Sequence, residues 1–308
     1  YIFFTRNYYL YKWSKYSIRY GTKFIIDKSN KEGVKMNTKL ISIIIPVYNA
    51  QDTIEKTINS IISNKREDLE IITVIDGATD NSLEVCKKLQ KKDSRINILT
   101  QTNQGAFVAR KNGIKSSKGK YIMFIDADDE YINNTINRVI EVMEKYNPDV
   151  IRFRYKKEEY DQYKYFESAE TFVDKKDFKN KVYPMFLNGY MLNAIWSNCV
   201  KREIFDKINF ENESVKYGED LILNLEIFSN IDNAVFLNDI LYKYSTTENS
   251  ITQSKDEKKL LRNLKDCIDV YSRLFLYIQK WDMYDKDNVK IVKNRLEKEC
   301  SLFFKFLN

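Results

Sequence analysis

Four carboxylates in five positions, Asp126, Asp128, Asp129 and Glu130 around Ala127, follow the apolar run Tyr121-Ile122-Met123-Phe124-Ile125 in a chain of 308 residues that has no histidine. Metal binding and proton transfer therefore fall to carboxylates. An apolar run of this length ending in acidic residues reads as a buried parallel strand. Such a strand delivers them to the carboxyl edge of its sheet, where open α/β sheets bind ligands. Hard oxygen donors suit Mg2+ or Mn2+, which are held by one or two carboxylates together with substrate phosphates. Short acidic turns also cap following helices, so the spacing alone leaves both readings open. A second acidic pair, Glu219-Asp220, stands after Gly218 and ahead of Leu221, Leu223, Leu225, Ile227 and Phe228, a pattern that starts a helix.

The elements that must carry these groups alternate in type. Residues 40–47 are a near-continuous β-branched run interrupted by Pro46 and read as a central parallel strand ending in a loop. Asn49 or Asp52 is placed to cap a helix with Ile54, Ile58, Ile61 and Ile62 at helical spacing. Residues 71–75 form the next strand. The polar turn 76–82 follows, in which Asn81 and Glu84 have capping-box spacing for a helix carrying Leu83, Val85, Cys86 and Leu89. A short strand at 96–99, a helix at 106–114 and the strand at 121–125 complete a βαβα order, which predicts a doubly wound sheet. There is no G-x-G-x-x-G and no P-loop, which argues against a dinucleotide fold and a Walker ATPase. Toward the end, Leu260, Leu264, Ile268, Tyr271, Phe275 and Ile278, then Val289, Val292, Leu296, Cys300 and Phe303, recur at three-to-four spacing and predict amphipathic helices.

Composition narrows the class further. Cys86, Cys199, Cys267 and Cys300 are scattered without C-x-x-C spacing, so reduced buried thiols are expected rather than zinc or disulfides. No apolar stretch approaches the roughly 20 residues of a spanning helix, and no signal-peptide pattern is present, so a cytoplasmic location is expected. The net charge of +7 is concentrated at the two ends: residues 1–35 carry +6 and residues 255–308 carry +4. The first segment also interleaves Phe3, Phe4, Tyr8, Tyr9, Tyr11, Trp13, Tyr16 and Tyr20 with Arg6, Lys12, Lys15 and Arg19. That mixture suits an anionic membrane interface and, less well, single-stranded nucleic acid. Packing on the body, or a translated leader ahead of Met36, would account for it equally.

Several segments together resemble glycosyltransferase family 2. They are Ser42-Ile43-Ile44-Ile45-Pro46-Val47-Tyr48-Asn49, the turn Asp76-Gly77-Ala78-Thr79-Asp80-Asn81-Ser82, Asn103-Gln104-Gly105 through Ala109-Arg110, and Asp126-Ala127-Asp128-Asp129. Trp196-Ser197-Asn198, Lys201-Arg202-Glu203-Ile204-Phe205, Gly218-Glu219-Asp220 and Ser250-Ile251-Thr252 extend the likeness over about residues 39–252. The resemblance implies an α/β GT-A fold: a doubly wound, mostly parallel sheet with flanking helices, plus a C-terminal helical extension. The implied division is a basic aromatic segment at 1–35, a catalytic domain at 36–252 with its nucleotide-sugar part at 36–130 and its acceptor part at 131–252, and the extension at 253–308.

The resemblance also assigns roles. Asp128, with Asp126, would hold Mn2+ or Mg2+, and Asp126 would also reach the ribose. Asp76 would read the uracil edge, with Pro46 and the Tyr48 ring lining the base, and Arg110 would approach the diphosphate. Asp220, with Glu219 beside it, would be the general base of an inverting transfer from a UDP-sugar to a hydroxyl of a glycan or lipid-linked oligosaccharide. Trp196 would wall the acceptor. Ile75, Ala78, Phe107 and the order Lys111-Asn112 depart from the family's usual residues and leave the donor sugar open. The absence of Q-x-x-R-W argues against a processive synthase. Two further classes compete: a catalytically degenerate sugar-nucleotide-binding module docked at a membrane, and a nucleotidyltransferase. The latter requires a Gly-rich basic loop where this chain has Pro46-Val47-Tyr48-Asn49.

Overall fold

The computed structural model describes residues 40–157, 163–189, 192–208, 210, 215–245 and 257–307. The basic aromatic segment at 1–35, Met36 and the Ser250-Ile251-Thr252 motif lie outside these residues. The first half alternates strand and helix: β1 (Ile41–Val47), α1 (Ile54–Ile62), β2 (Leu69–Asp76), α2 (Ser82–Gln90), β3 (Ile96–Gln101), α3 (Ala106–Ser116) and β4 (Tyr121–Phe124). These four strands pair in parallel in the order β3-β2-β1-β4. Strands covered on both faces are mostly apolar, and every residue of β1 except Pro46 is buried, as are all of β2 and β4, with the buried Ser42 donating to Glu70 on the neighbouring strand.

The chain winds outward from β1 to β3 and then returns to place β4 on the other side of β1. The topological switch point therefore lies between β1 and β4, where an open sheet binds ligands. Pro46 suits this place. Ile44 O still accepts Ile125 N, but the ladder to β4 ends there, so the missing N–H of Pro46 faces no partner strand. Gly113 lets α3 lie against β1, since a Cβ there would meet Ile44 Cγ2 at 2.4 Å.

The second half is mixed: β5 (Glu130–Tyr131), α4 (Thr135–Tyr146), β6 (Val150–Lys157), β7 (Glu170–Asp174), α5 (Phe178–Lys181), α6 (Tyr183–Leu187), β8 (Asn198–Lys201), α7 (Glu219–Ser229) and β9 (Asn233–Tyr244). Strand β8 runs antiparallel to both β4 and β6, and β9 continues beside β6, carrying β5 and β7. Helices α8 (Glu257–Lys280) and α9 (Lys286–Leu307) form the C-terminal layer, packed on each other and on α7 and α6. Among the described residues no helix is long and apolar enough to cross a membrane.

Several local expectations need correction. Neither Asn49 nor Asp52 caps α1, and Asn49 takes positive φ and accepts Thr79 N instead. The Asn81–Glu84 box does not form. Asp80 accepts Ser82 N, and Glu84 pairs with Lys87. On α8 the expected Leu260, Tyr271 and Ile278 are buried, and the face widens to take in Asn263, Cys267, Val270, Leu274 and Tyr277, while Ile268 stays 46% exposed. Packing on both α7 and α9 makes the covered face of this long helix broader than a single stripe. All four cysteines are free thiols, and burial pushes Cys86 up to about 11.

Candidate active site

Three loops at the carboxyl ends of β1, β2 and β3 are knitted together. Asn49 Oδ1 accepts Thr79 N, Ser82 Oγ accepts Ala50 N, and Asp80 Oδ2 accepts Gln51 N. Gly77 has φ +64°, and a Cβ there would stand 2.6 Å from Asn103 N, so the turn after β2 closes onto the loop after β3 only with glycine. Asp76 is at the centre of this knot. Its carboxylate is 3% exposed and accepts Gln101 Nε2, Gln104 N and Gly105 N, each at 2.8 Å. Both carboxylate oxygens are thus engaged by the end of β3 and the loop that leads into α3, and Asp76 shapes that loop. Tyr48, at the end of β1, leaves its ring 53% exposed rather than packed at the strand end.

Across the switch point lies the acidic cluster. Asp129 is 1% exposed and is held by Tyr242 Oη and Ser245 N, while Tyr242 Oη also accepts Asp126 N. Burial, with Asp126 close by, pushes the Asp129 carboxyl well above the usual range despite these donors. It is the structural member of the cluster. Asp126 and Asp128 remain partly exposed.

Arg110 projects from α3 with 4% of its side chain exposed, which excludes a solvated helix residue. Its fork donates to Asp126 Oδ1 at 2.8 Å and to Asp220 Oδ1 at 2.9 Å, and Glu219 Oε1 lies 3.5 Å from the same guanidinium. Arg110 thus ties the loop after β4 to the first turn of α7, where Gly218 takes the left-handed N-cap conformation. Both terminal nitrogens expected to approach a diphosphate are engaged with carboxylates. Although burial opposes its charge, Asp220, Asp126 and Glu219 hold the guanidinium firmly protonated.

Burial raises Glu219 and Asp220 above the usual carboxylate range. The neighbouring acids add to the effect, and Arg110 only partly offsets it. Asp220 Oδ2 accepts Ile195 N at 3.2 Å. Trp196, the next residue, is 6% exposed, stacked on Tyr242 at 4.3 Å and edge-on to Tyr155 at 4.7 Å. It packs beneath the acidic loop and presents no open ring face as an acceptor wall would.

The donor set fits a hard cation. Asp126 and Asp128 are oxygen donors that stay partly exposed at the carboxyl edge of the sheet, beside the switch point. Among the described residues no three acidic or thiol groups already converge as a cage. Two carboxylates completed by substrate oxygens are what Mg2+ or Mn2+ requires. Sequence reading missed Tyr242, whose ring and hydroxyl join Trp196 to the acidic loop after β4, because it lies 116 residues from its partner Asp126. It also missed Arg152 and Asn224, buried polar residues with no motif of their own; Asn198, part of the Trp196-Ser197-Asn198 segment, carried no role there.

Residues 42–208 match the sequence model of Glycosyl transferase family 2. The chain is 31% identical over 218 residues to the uncharacterized glycosyltransferase EpsJ of Bacillus subtilis, covering 70% of this chain and 63% of that relative. S. aureus TarS 1-349 in complex with UDP-GlcNAc shares the fold at a TM-score of 0.58 and 16% identity, over 81% of this chain and 74% of that one. So does the mannosyltransferase PcManGT of Pyrobaculum calidifontis in complex with GDP-Man and Mn2+, at 0.54 and 13%, over 86% and 76%. A GT-A-like α/β body with a family signature spanning more than half its length places this chain in glycosyltransferase family 2.

Proposed function

We propose that this chain transfers a sugar, with inversion, from a UDP-linked donor to a hydroxyl of a glycan or lipid-linked oligosaccharide in surface polysaccharide synthesis. The observation that carries the reading is the Arg110 fork. One guanidinium spans from Asp126, in the loop expected to meet the diphosphate, to Asp220, in the helix turn expected to meet the acceptor. Asp128 and Asp126 would hold Mn2+ or Mg2+, and the ion when bound would supply positive charge to the departing diphosphate. The exposed Tyr48 ring and Pro46 would line the base, and Asp76 would fix the loop beside it. Asp220 takes the proton of the acceptor hydroxyl as that oxygen bonds the anomeric carbon and the bond to the diphosphate breaks. Arg110 and the Ile195 amide favour its ionised form against burial, as a base requires. The TarS complex with UDP-GlcNAc supports a UDP-sugar donor, and the PcManGT complex supports a divalent ion.

Screening UDP-, GDP- and TDP-sugars with Mn2+ for nucleotide release tests the reading. At least one UDP-sugar should be hydrolysed slowly, and a chelator should abolish this. Equal rates in excess chelator would remove the metal assignment, and no turnover with any donor would favour the degenerate binding module. A peripheral place on an anionic membrane is proposed from the +6 charge of residues 1–35. Vesicle co-sedimentation that is unaffected by salt or by deleting this segment would remove it.

A further inference from the structure

Asp220 is gripped from a second side by a backbone that buried side chains aim. Its Oδ2 accepts Ile195 N–H, and that N–H shares a peptide unit with the Ala194 carbonyl. In a trans peptide the two groups point in opposite directions, so whatever holds the carbonyl directs the amide. The holder is Arg152 on β6, fully buried, whose Nη1 donates to Ala194 O and, at 3.0 Å, to Asn198 Oδ1. The two preceding carbonyls are held as well. Asn224 Nδ2 donates to Leu192 O at 2.8 Å and Asn193 O at 2.9 Å, and Asn198 Nδ2 donates to Asn224 Oδ1 at 2.6 Å. From α9, Arg295 reaches Asn193 Oδ1 at 3.0 Å and Phe186 O.

A loop that needed only covering would be packed with apolar groups, because buried polar side chains are costly unless fully engaged. Here donors from β6 and α7 converge on three consecutive carbonyls, and Arg295 of α9 holds the side chain of the middle residue, which together fix the direction of the next amide. Asn224 also stands one turn after Asp220 on the same face of α7, so base and brace share one rigid helix.

We propose that Arg152, Asn224 and Arg295 are positioning residues for the acceptor base, acting through the Ala194–Ile195 peptide, so that helix α9 belongs to the transfer apparatus. The proposal rests on the reading of Asp220 as the base.

The test compares Arg295→Lys, Asn224→Ala and Arg152→Lys with the parent chain. The rate of nucleotide release is measured with the UDP-sugar that turns over fastest, together with UDP affinity in Mn2+ and amide exchange at 192–197. Turnover should fall by about 10- to 100-fold, as small misplacements of reacting groups do. Donor KM should move less than about twofold, and exchange at 192–197 should accelerate while β1 and β2 stay protected. Arg152→Lys, which keeps the charge but not the fork, should not restore turnover. Where a core variant fails to fold, Asn193→Ala, at a half-buried position, removes only the acceptor of Arg295 and should show a weaker form of the same split. In an Asp220→Asn background the losses should vanish. Losses that persist there, or a loosened loop with normal turnover, would overturn the proposal. Normal turnover by Asp220→Asn alone would instead show that the base assignment had failed.

Discussion

Asp76 and Asp220 are both acids set at the edges of α-helices, yet the molecule satisfies them in opposite ways. Asp76, on the side proposed for the donor, takes three neutral donors from residues fewer than thirty positions away. Asp220, on the side proposed for the acceptor, takes a guanidinium 110 residues distant and one amide braced by a second buried arginine. Neutral amides hold a carboxylate in place without making its ionisation depend on one partner, whereas an ion pair in a buried site ties charge state and geometry to a single contact. The surroundings of Asp76, proposed as the donor side, hold shape, and those of Asp220, proposed as the acceptor side, are built around charge.

The sharpest way to break this comparison is Asp220→Asn. It keeps volume and removes the proton acceptor, so turnover should fall by about 10²- to 10⁴-fold while Mn2+–UDP affinity holds. Calorimetry beside nucleotide release separates the two effects. Weakened UDP binding would mean that Arg110, released from Asp220, disturbs the donor side as well. Asp128→Asn should do the reverse and weaken Mn2+-dependent UDP binding by roughly 100-fold or more, since even outer partners of a metal are worth about 10–100-fold. UDP binding that ignores Mn2+ in both proteins would take Asp128 out of the metal site.

The two sides also differ in how much of them was legible. The parallel half followed from apolar runs and turns because β1, β2 and β4 are local units whose burial on both faces leaves a plain signature, with β3 as a short, partly exposed edge strand. Its loops carried contiguous motifs for the same reason. The caps were misread, since Asn49 bonds across to the loop after β2 and it is Asp80 rather than Asn81 that takes the first amide of α2. In the mixed half, β8 inserts between β4 and β6, and Tyr242 reaches Asp126 and Asp129 from β9. Neither pairing has a periodicity that announces it. Trp196 was picked out by its motif, but its stacking on Tyr242 was not legible, because sequence does not tell a ring stacked under a loop from one open to a sugar.

If the donor side is held by shape, it should be intolerant of small steric changes. Gly77→Ala places a Cβ 2.6 Å from Asn103 N at a φ of +64°, so it should cost about 1–3 kcal/mol in backbone strain, with a further cost from that contact. Denaturant unfolding should show the loss, and UDP affinity should fall with it because the turn and the loop after β3 move apart. An unchanged midpoint would mean that this knot is looser than its hydrogen bonds imply.

The smallest effect concerns acid and separates the frame of the mixed half from its site. Glu170 on β7 is 15% exposed. Burial would raise its carboxyl, but Lys145, Tyr146 and Arg138 outweigh that and hold it at about 2. A carboxyl depressed in the folded state adds stability above its unfolded value of about 4.5, and that stability is lost as pH falls toward about 2. The contribution is on the order of 1–3 kcal/mol. Glu219 and Asp220 run the other way. Their raised carboxyls bind protons more tightly in the folded chain, so that contribution is present at low pH and declines as pH rises through their folded values. Glu170→Gln should therefore flatten the loss of stability between about pH 4.5 and pH 2 while leaving turnover near neutrality unchanged. Glu219→Gln should raise stability near neutrality by removing a buried charge that its neighbours oppose. If Glu170→Gln left the acid limb as steep as before, the frame's acid sensitivity would have to come from another paired carboxylate, and Asp149, held by Lys201, would be examined next.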